Sequence, residues 1–231
     1  MSTTTTNPDL APAASPAAPA GPPARDRGAD GGPSPAILQP PPFPERREEG
    51  LYGPAGWSVR VGMWPLLAQW PDPRRSAGLA PAGWCGPSLI DGRARPVSDY
   101  VPYQGLDAAT CRRLLEILPE AALADRQNLA PTLRAMLTAC ARADGQVRVS
   151  GYGIGPQRED ERLSAEALWV ADPDLLGIEV HPEHRGDCQC DRLWVEVSSR
   201  YRLDGLAMPD EILRTRPEWA GGAQGWWLWW D

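Results

Sequence analysis

The closing run Gly-Trp-Trp-Leu-Trp-Trp-Asp constrains the fold of this chain more than any other stretch, because it holds four of the 11 tryptophans. Alternation along a strand would place Trp226, Leu228 and Trp230 on one face and Trp227 and Trp229 on the other. Each buried tryptophan removes on the order of 200 Å² from water. The run therefore predicts a strand inside a sheet whose two faces are both covered.

Two helices are predicted in the middle of the chain. Between Asp107, a suitable N-cap, and Pro119, a suitable stop, apolar residues fall at positions i, i+3, i+4 and i+7. The same spacing over residues 133–140 predicts a second helix, which begins near Pro131 and ends at Asp144-Gly145. Both helices would pack on one face of the sheet.

Strand patterns follow these helices. Residues 147–154 predict a strand in which glycines weaken the pairing or mark a bulge. Residues 162–171 alternate and predict its hairpin partner across the charged loop 155–161. Residues 177–180 predict a further short strand.

A third helix is predicted to open at Asp187 or Asp191 and to stop at Asp204-Gly205, although residues 193–197 also alternate like a strand. Together these elements predict an α+β fold: a small, mostly antiparallel sheet with about three helices.

The N-terminal stretch is rich in proline and alanine, so residues 1–50 are predicted to be a disordered tail. A passive linker is one interpretation of this tail, and a segment that docks in an aromatic groove through Pro40–Pro44 is the other. Residues 51–231 would form a single α+β domain whose part 51–105 is loop-rich. Within that part, the alternation over 57–63 predicts a first strand.

Composition excludes several classes of function. All 23 basic residues are arginine, which excludes a phosphate-loop lysine, a Schiff base and a lysine general base. The net charge of −7, without any cluster of arginines that stands out, argues against a nucleic-acid partner. The sequence predicts no membrane span and no secretory signal, so we expect a cytoplasmic protein.

One loop concentrates metal-binding chemistry. Both histidines and two of the five cysteines, His181, His184, Cys188 and Cys190, lie within ten residues. Imidazole and thiolate are the preferred zinc ligands, and four of them complete a closed tetrahedral site. The loop therefore predicts a zinc site that is structural rather than catalytic.

Two alternatives remain open for this loop. Cys188 and Cys190 would be reactive thiols if a helix N-terminus lowered the pKa of either thiol, although Asp187 and Asp191 would oppose that shift. The loop would otherwise be a polar surface segment without a ligand.

Residues 172–179, Asp-Pro-Asp-Leu-Leu-Gly-Ile-Glu, and the closing tryptophan run resemble stretches of uncharacterised proteins of GC-rich actinobacteria. This resemblance covers only the last third of the chain. It implies no activity, cofactor or catalytic residue.

The sequence as a whole favours an accessory or regulatory binding protein that is not an enzyme and acts on a protein partner. The alternative is an enzyme, either a metal-dependent hydrolase or a thiol enzyme, that uses the loop from His181 to Cys190. Tryptophans left exposed would offer a further alternative, a platform for sugars or single strands.

Overall fold

A computed structural model describes residues 50–72, 85–86, 95–96, 98–181, 183 and 185–231. These residues all belong to one compact unit that spans Pro40–Asp231. The predicted tail lies outside the described residues, apart from Gly50. Within the described part of the chain, no helix is long and apolar enough to span a membrane.

Three of the α-helices have ten or more residues, and three are single turns. The helices are α1 (Trp57–Arg60), α2 (Trp64–Leu67), α3 (Ala108–Ile117), α4 (Glu120–Leu123), α5 (Leu133–Arg142) and α6 (Cys190–Tyr201). The strands are β1 (Cys85–Gly86), β2 (Arg95–Pro96), β3 (Tyr100–Leu106), β4 (Val147–Ile154), β5 (Arg162–Val170), β6 (Glu211–Thr215) and β7 (Gly225–Trp229).

The main sheet has five strands in the order β3-β4-β5-β7-β6, and every neighbouring pair is antiparallel. Strands β1 and β2 form a separate two-stranded pair. The predicted α+β class and the mostly antiparallel sheet are confirmed. The closing strand β7 lies inside the sheet, between β5 and β6.

The two middle helices form where the sequence predicts them, because each carries its own start signal. The Asp107 side chain accepts a hydrogen bond from the amide of Thr110 at 2.8 Å, which caps α3. The Thr132 hydroxyl accepts a hydrogen bond from the amide of Ala135 at 3.2 Å and caps α5 in the same way.

The predicted hairpin is also confirmed. Strands β4 and β5 pair along their length, and the register shifts between Ser150 and Gly151, so a bulge lies at the first of the strand glycines. The third long helix begins at Cys190, within the predicted range, and the alternative reading of residues 193–197 as a strand is wrong.

Residues 57–63 were predicted as a first strand, and that prediction is wrong. The segment starts with the one-turn helix α1, preceded by Gly56 at φ +80°. The amides of Gly56 and Ser58 donate to the carboxylate of Glu161, at 2.6 and 2.9 Å. Glu161, about a hundred positions further along the chain, thus binds free amide groups at the N-terminus of this helix.

Residues 177–180 form no strand, so that prediction is also wrong. A 3₁₀ turn over Pro173–Leu175 leads into them, and the amide of Ile178 donates back to the carbonyl of Leu175 at 3.1 Å. The guanidinium of Arg214 then donates to the carbonyls of Leu176 and Ile178, at 2.8 and 2.9 Å. A side chain therefore binds these carbonyls in place of a neighbouring strand.

The region 51–105 is more structured than predicted at its end. Strand β3 has seven residues and pairs with β4 from Tyr100 to Leu106. Its outer edge pairs with the chain again near Pro71, where the amide of Gln104 donates to the carbonyl of Trp70 at 2.9 Å.

Candidate functional site

Strand β7 has one fully buried face. Trp226 and Trp230 are each 1% exposed and Leu228 is completely buried, whereas Trp227 and Trp229 are partly exposed. This division is the alternation that the sequence predicts. Only the expectation that both faces of the strand are fully covered is wrong.

The buried face of β7 has a structural role, because its indole groups are bonded inside the protein. The indole N–H of Trp226 donates to the carbonyl of Leu175 at 3.0 Å, and that of Trp230 donates to the carbonyl of Ala207 at 3.2 Å. Trp230 also packs edge-to-face on Trp194 of α6, with ring centroids 5.5 Å apart. This side of the sheet therefore belongs to the core.

The opposite side of the sheet is the open face. Cross-strand partners share a side, and Trp227 is paired with Trp169 on β5 and with Leu213 on β6. Trp229 is paired with Ala167 on β5 and with Glu211 on β6. The open face thus combines large aromatic rings with a carboxylate.

Trp219, in the connection between β6 and β7, lies over this open face. Its ring packs edge-to-face on that of Trp169, with centroids 5.2 Å apart. The other side of the ring lies against Gly105 on β3, where a Cβ atom would come within 2.8 Å of the indole. Gly105 has φ +75°, so both its conformation and its missing side chain accommodate Trp219.

Two cavities lie beside Trp219, and its ring lines both of them. The tryptophan groove has a volume of about 590 Å³ and is lined by Trp219, Trp227 and Trp229 together with Pro217, Leu213, Thr215, Glu211, Arg216, Gln104 and Asp72. The lining reaches from β3 at one edge of the sheet to β6 at the other.

The second cavity, the Arg148 cavity, has a volume of about 340 Å³. Arg148, Trp169 and Trp219 line it, and Asp144 and Gln146 lie at its exposed rim. The guanidinium of Arg148 lies 5.7 Å from the ring centre of Trp70, within the range of a cation–π contact.

Three of the residues that line the Arg148 cavity carry buried donor atoms. Nε and Nη1 of Arg148 and the indole nitrogens of Trp169 and Trp219 are buried without a hydrogen-bond partner among the described residues. Buried donors are normally paired, and an unpaired one calls for an explanation. This cavity therefore has the chemistry of a site for an acceptor.

A larger cavity of about 800 Å³ lies between α5 and the end of α6, and two charged residues that line it, Arg200 and Asp204, have partners within the protein. Arg200 bonds to Asp172 and to Asp174, at 2.5 and 3.3 Å. Asp204 accepts hydrogen bonds from the amide and hydroxyl of Thr132, at 2.7 and 2.9 Å. These contacts tie α6 to its neighbours, which gives this cavity a structural explanation.

The predicted zinc ligands are partly brought together. The backbone amide of His181 donates to Sγ of Cys188 at 3.4 Å, and the thiols of Cys188 and Cys190 are hydrogen-bonded to each other. His184 lies outside the described residues. Among the residues that are described, no group of three or more His, Cys, Asp or Glu side chains is arranged to hold a metal ion.

The pKa of the Cys190 thiol is raised rather than lowered. Burial is the main cause, and the hydrogen bond with Cys188 adds to it. A raised pKa keeps the thiol protonated at neutral pH, whereas thiol chemistry needs the thiolate. Helix α6 begins at Cys190, and the pKa of this thiol is raised at that position.

The Arg148 cavity and strand β6 are not predicted by any pattern in the sequence. Arg148 and Trp169 are 21 positions apart and become neighbours only through the register of β4 and β5. Trp219 reaches them from a loop rich in proline and glycine. The local signals that could have indicated the cavity were two glycines, Gly105 and Gly225, each next to a polar or aromatic residue. Each glycine leaves room for an indole ring, because it has no side chain.

No family model, no curated protein and no solved structure matches this chain. Its function is therefore argued from the site alone.

Proposed function

We propose that this protein is a non-catalytic binding module that holds a proline-rich, arginine-bearing segment of a partner protein in the tryptophan groove. The observation that carries the proposal is the partial exposure of Trp227 and Trp229 on a strand whose other residues are buried. Exposed aromatic surface of this kind is characteristic of interaction sites.

The spacing of the rings suits an extended peptide. Trp227 and Trp229 are two residues apart on one strand, which places their Cβ atoms about 7 Å apart. Pro217 and Trp219 line the same groove and add apolar contact surface. A polyproline II segment rises about 9 Å per three-residue turn and loses little conformational entropy on binding, and aromatic-lined grooves recognise it.

The charges of the groove favour arginine in the ligand. Glu211 is the cross-strand partner of Trp229, so a carboxylate lies beside that ring. Asp72 also lines the groove. Among the described lining residues the one basic side chain is that of Arg216, which follows Thr215, the cross-strand partner of Gly225 at the other end of β7. A peptide whose prolines cover the indoles would therefore place its arginine near Glu211.

The chain carries a sequence of this kind itself. Residues 39–47 read Gln-Pro-Pro-Pro-Phe-Pro-Glu-Arg-Arg. A second copy of the chain is consequently a competing occupant, and the experiment must separate it from a partner protein.

The test is fluorescence anisotropy with the full-length protein and a dye-labelled peptide of six prolines followed by two arginines. We expect saturable binding that weakens about tenfold or more in Trp227→Ala and in Trp229→Ala, as at other aromatic hot spots. Val195→Ala is the control, because this exposed apolar side chain lies on α6, outside the groove. A peptide ending in two glutamates should bind more weakly, and Glu211→Arg should reverse that preference.

Three outcomes would overturn the proposal. Equal peptide affinity in the tryptophan variants and in the Val195→Ala control would remove the groove from the interaction. Self-association that the tryptophan variants abolish, without peptide binding, would make a second copy the occupant. Loss of solubility in both tryptophan variants, together with unchanged peptide preference in Glu211→Arg, would mean that the rings support the fold only.

We also propose a structural zinc ion bound by His181, His184, Cys188 and Cys190. The contact between His181 and Cys188, and that between Cys188 and Cys190, support it. Elemental analysis of protein grown with zinc should then find one equivalent, and Cys188→Ser should lower both zinc content and melting temperature. Cys111→Ser, a core substitution, should leave the zinc content unchanged. Protein without stoichiometric zinc would contradict the proposal.

The enzyme alternative receives less support. The raised pKa of the Cys190 thiol speaks against a thiol nucleophile at this position. A zinc ion held by four protein ligands would leave no position for a substrate or an activated water.

A further inference from the structure

We infer that the Arg148 cavity binds a carboxylate group. This inference concerns a different cavity and a different ligand chemistry from the peptide proposal, and Trp219 is the residue that lines both cavities. It rests on three side chains, Arg148, Trp169 and Trp219, which line one cavity and have buried donor atoms without partners among the described residues.

Packing holds the two indole rings of the cavity in place. Trp169 is 2% exposed, its ring packs against Trp219, and its indole edge lies where a Cβ on Gly225 would come within 2.5–2.8 Å. The ring of Trp219 also packs closely against Gly105, where a Cβ atom would come within 2.8 Å of the indole. Leaving buried donors unpaired is costly, and an acceptor supplied by a ligand removes that cost.

The number of charges in the cavity selects the kind of acceptor. Among the described residues that line the cavity, Arg148 contributes the only positive charge, and the two indole N–H groups are neutral donors. Asp144 at the exposed rim would repel a second negative charge on the ligand. A ligand with one negative charge and two acceptor oxygens therefore fits better than a phosphate dianion.

The shape of the cavity points to an organic acid. The walls include the flat rings of Trp169 and Trp219 and the small side chains of Ala171, Ala220 and Ala223. About 340 Å³ is enough for a small ligand with a planar, apolar body. The carboxylate would come either from a free monocarboxylic acid or from an acidic side chain of a bound peptide.

The test uses nuclear magnetic resonance of the full-length protein, because each indole N–H gives its own signal. Benzoate should shift the indole signals of Trp169 and Trp219, which Trp169→Phe and Trp219→Phe assign. Benzamide has the same shape without the charge and should bind about tenfold more weakly or worse. Arg148→Gln should abolish the shifts, and Arg148→Lys should weaken binding. Arg142→Gln, an exposed arginine on α5, is the control.

The source of the carboxylate is decided by a second ligand. A short peptide with blocked ends and one glutamate among alanines should shift the same signals. Tighter binding of the peptide than of benzoate would identify an acidic side chain as the ligand, and the reverse would identify a free acid.

Three results would overturn the inference: equal affinity for benzoate and benzamide, shifts that persist in Arg148→Gln, and stronger binding of inorganic phosphate than of benzoate. Trp227→Ala and Trp229→Ala should leave benzoate binding unchanged. Failure of the peptide proposal and failure of this inference are thereby distinguishable.

Discussion

Replacing Glu161 by alanine should remove much of the attachment between α1 and the β4–β5 hairpin. The carboxylate is 1% exposed and accepts hydrogen bonds from the amide of Gly56, the amide of Ser58 and the hydroxyl of Ser58. That hydroxyl in turn accepts a hydrogen bond from the indole of Trp64 at 2.9 Å. One side chain therefore satisfies three buried donors.

The expected cost follows from these donors. An unsatisfied buried donor costs about 1–3 kcal/mol, so three of them bring the loss to about 3–9 kcal/mol before any compensation. Removing the buried charge compensates in part, because burial raises the pKa of Glu161 and so penalises its ionised form. The net loss in Glu161→Ala should therefore be about 2–4 kcal/mol.

Urea unfolding of the full-length protein at neutral pH measures this loss. Glu161→Gln keeps one acceptor oxygen and should fall between wild type and Glu161→Ala. Glu196→Ala, which removes an exposed carboxylate from α6, should change the stability by less than about 0.5 kcal/mol. If Glu161→Ala loses no more than this control, the carboxylate does not hold α1 and the reasoning is wrong.

The same carboxylate predicts a pH dependence. Its raised pKa means that the folded state binds the proton more tightly than the unfolded state. Protonation of Glu161 therefore stabilises the folded state at pH values below the ordinary pKa of a glutamate. This stabilisation is lost as the pH rises through the pKa that Glu161 has in the folded state. Relative to Glu161→Gln, wild type should therefore gain stability as the pH is lowered through this window, and a loss would contradict the raised pKa.

Two further predictions concern the tryptophans of the sheet. Trp226→Ala should lower the free energy of unfolding by about 3–5 kcal/mol and leave most of the protein insoluble. Trp227→Ala should lower it markedly less in urea unfolding. The reverse order would mean that the faces of β7 are assigned wrongly. Gly105→Ala should displace Trp219 and destabilise the fold by about 1–3 kcal/mol, because the position has φ +75° and no room for a Cβ atom. An unchanged melting temperature and an unchanged Trp219 indole signal would contradict that account.

The elements that the sequence predicts are those with local signals. Helices α3 and α5 have a capping side chain within three residues of the amide it binds, and β7 alternates without interruption. Strands β4 and β5 are adjacent along the chain and joined by a short loop. None of these elements depends on a distant residue for its type, so spacing and caps were sufficient.

The elements that the sequence misses depend on distant partners. Helix α1 is bonded to the carboxylate of Glu161, about a hundred positions further along the chain. The carbonyls of Leu176 and Ile178 accept hydrogen bonds from the guanidinium of Arg214 instead of from a neighbouring strand. Strand β6 has a single fully buried residue, Ile212, so its pattern is too weak to recognise. The open face could be predicted only as the second side of β7. Which residues lie on it depends on the register of the four other strands of the sheet.

The hydrogen bonds of the indole groups separate the tryptophans that are bonded within the protein from those of the proposed carboxylate site. Five described indoles donate to protein acceptors: Trp57, Trp64, Trp70, Trp226 and Trp230. Two buried indole nitrogens, those of Trp169 and Trp219, have no such partner among the described residues. Both line one cavity beside the unpaired nitrogens of Arg148. Buried donors are normally bonded, so packing alone does not account for unpaired nitrogens on three residues that line the same cavity. This is the observation that the proposed carboxylate ligand would explain.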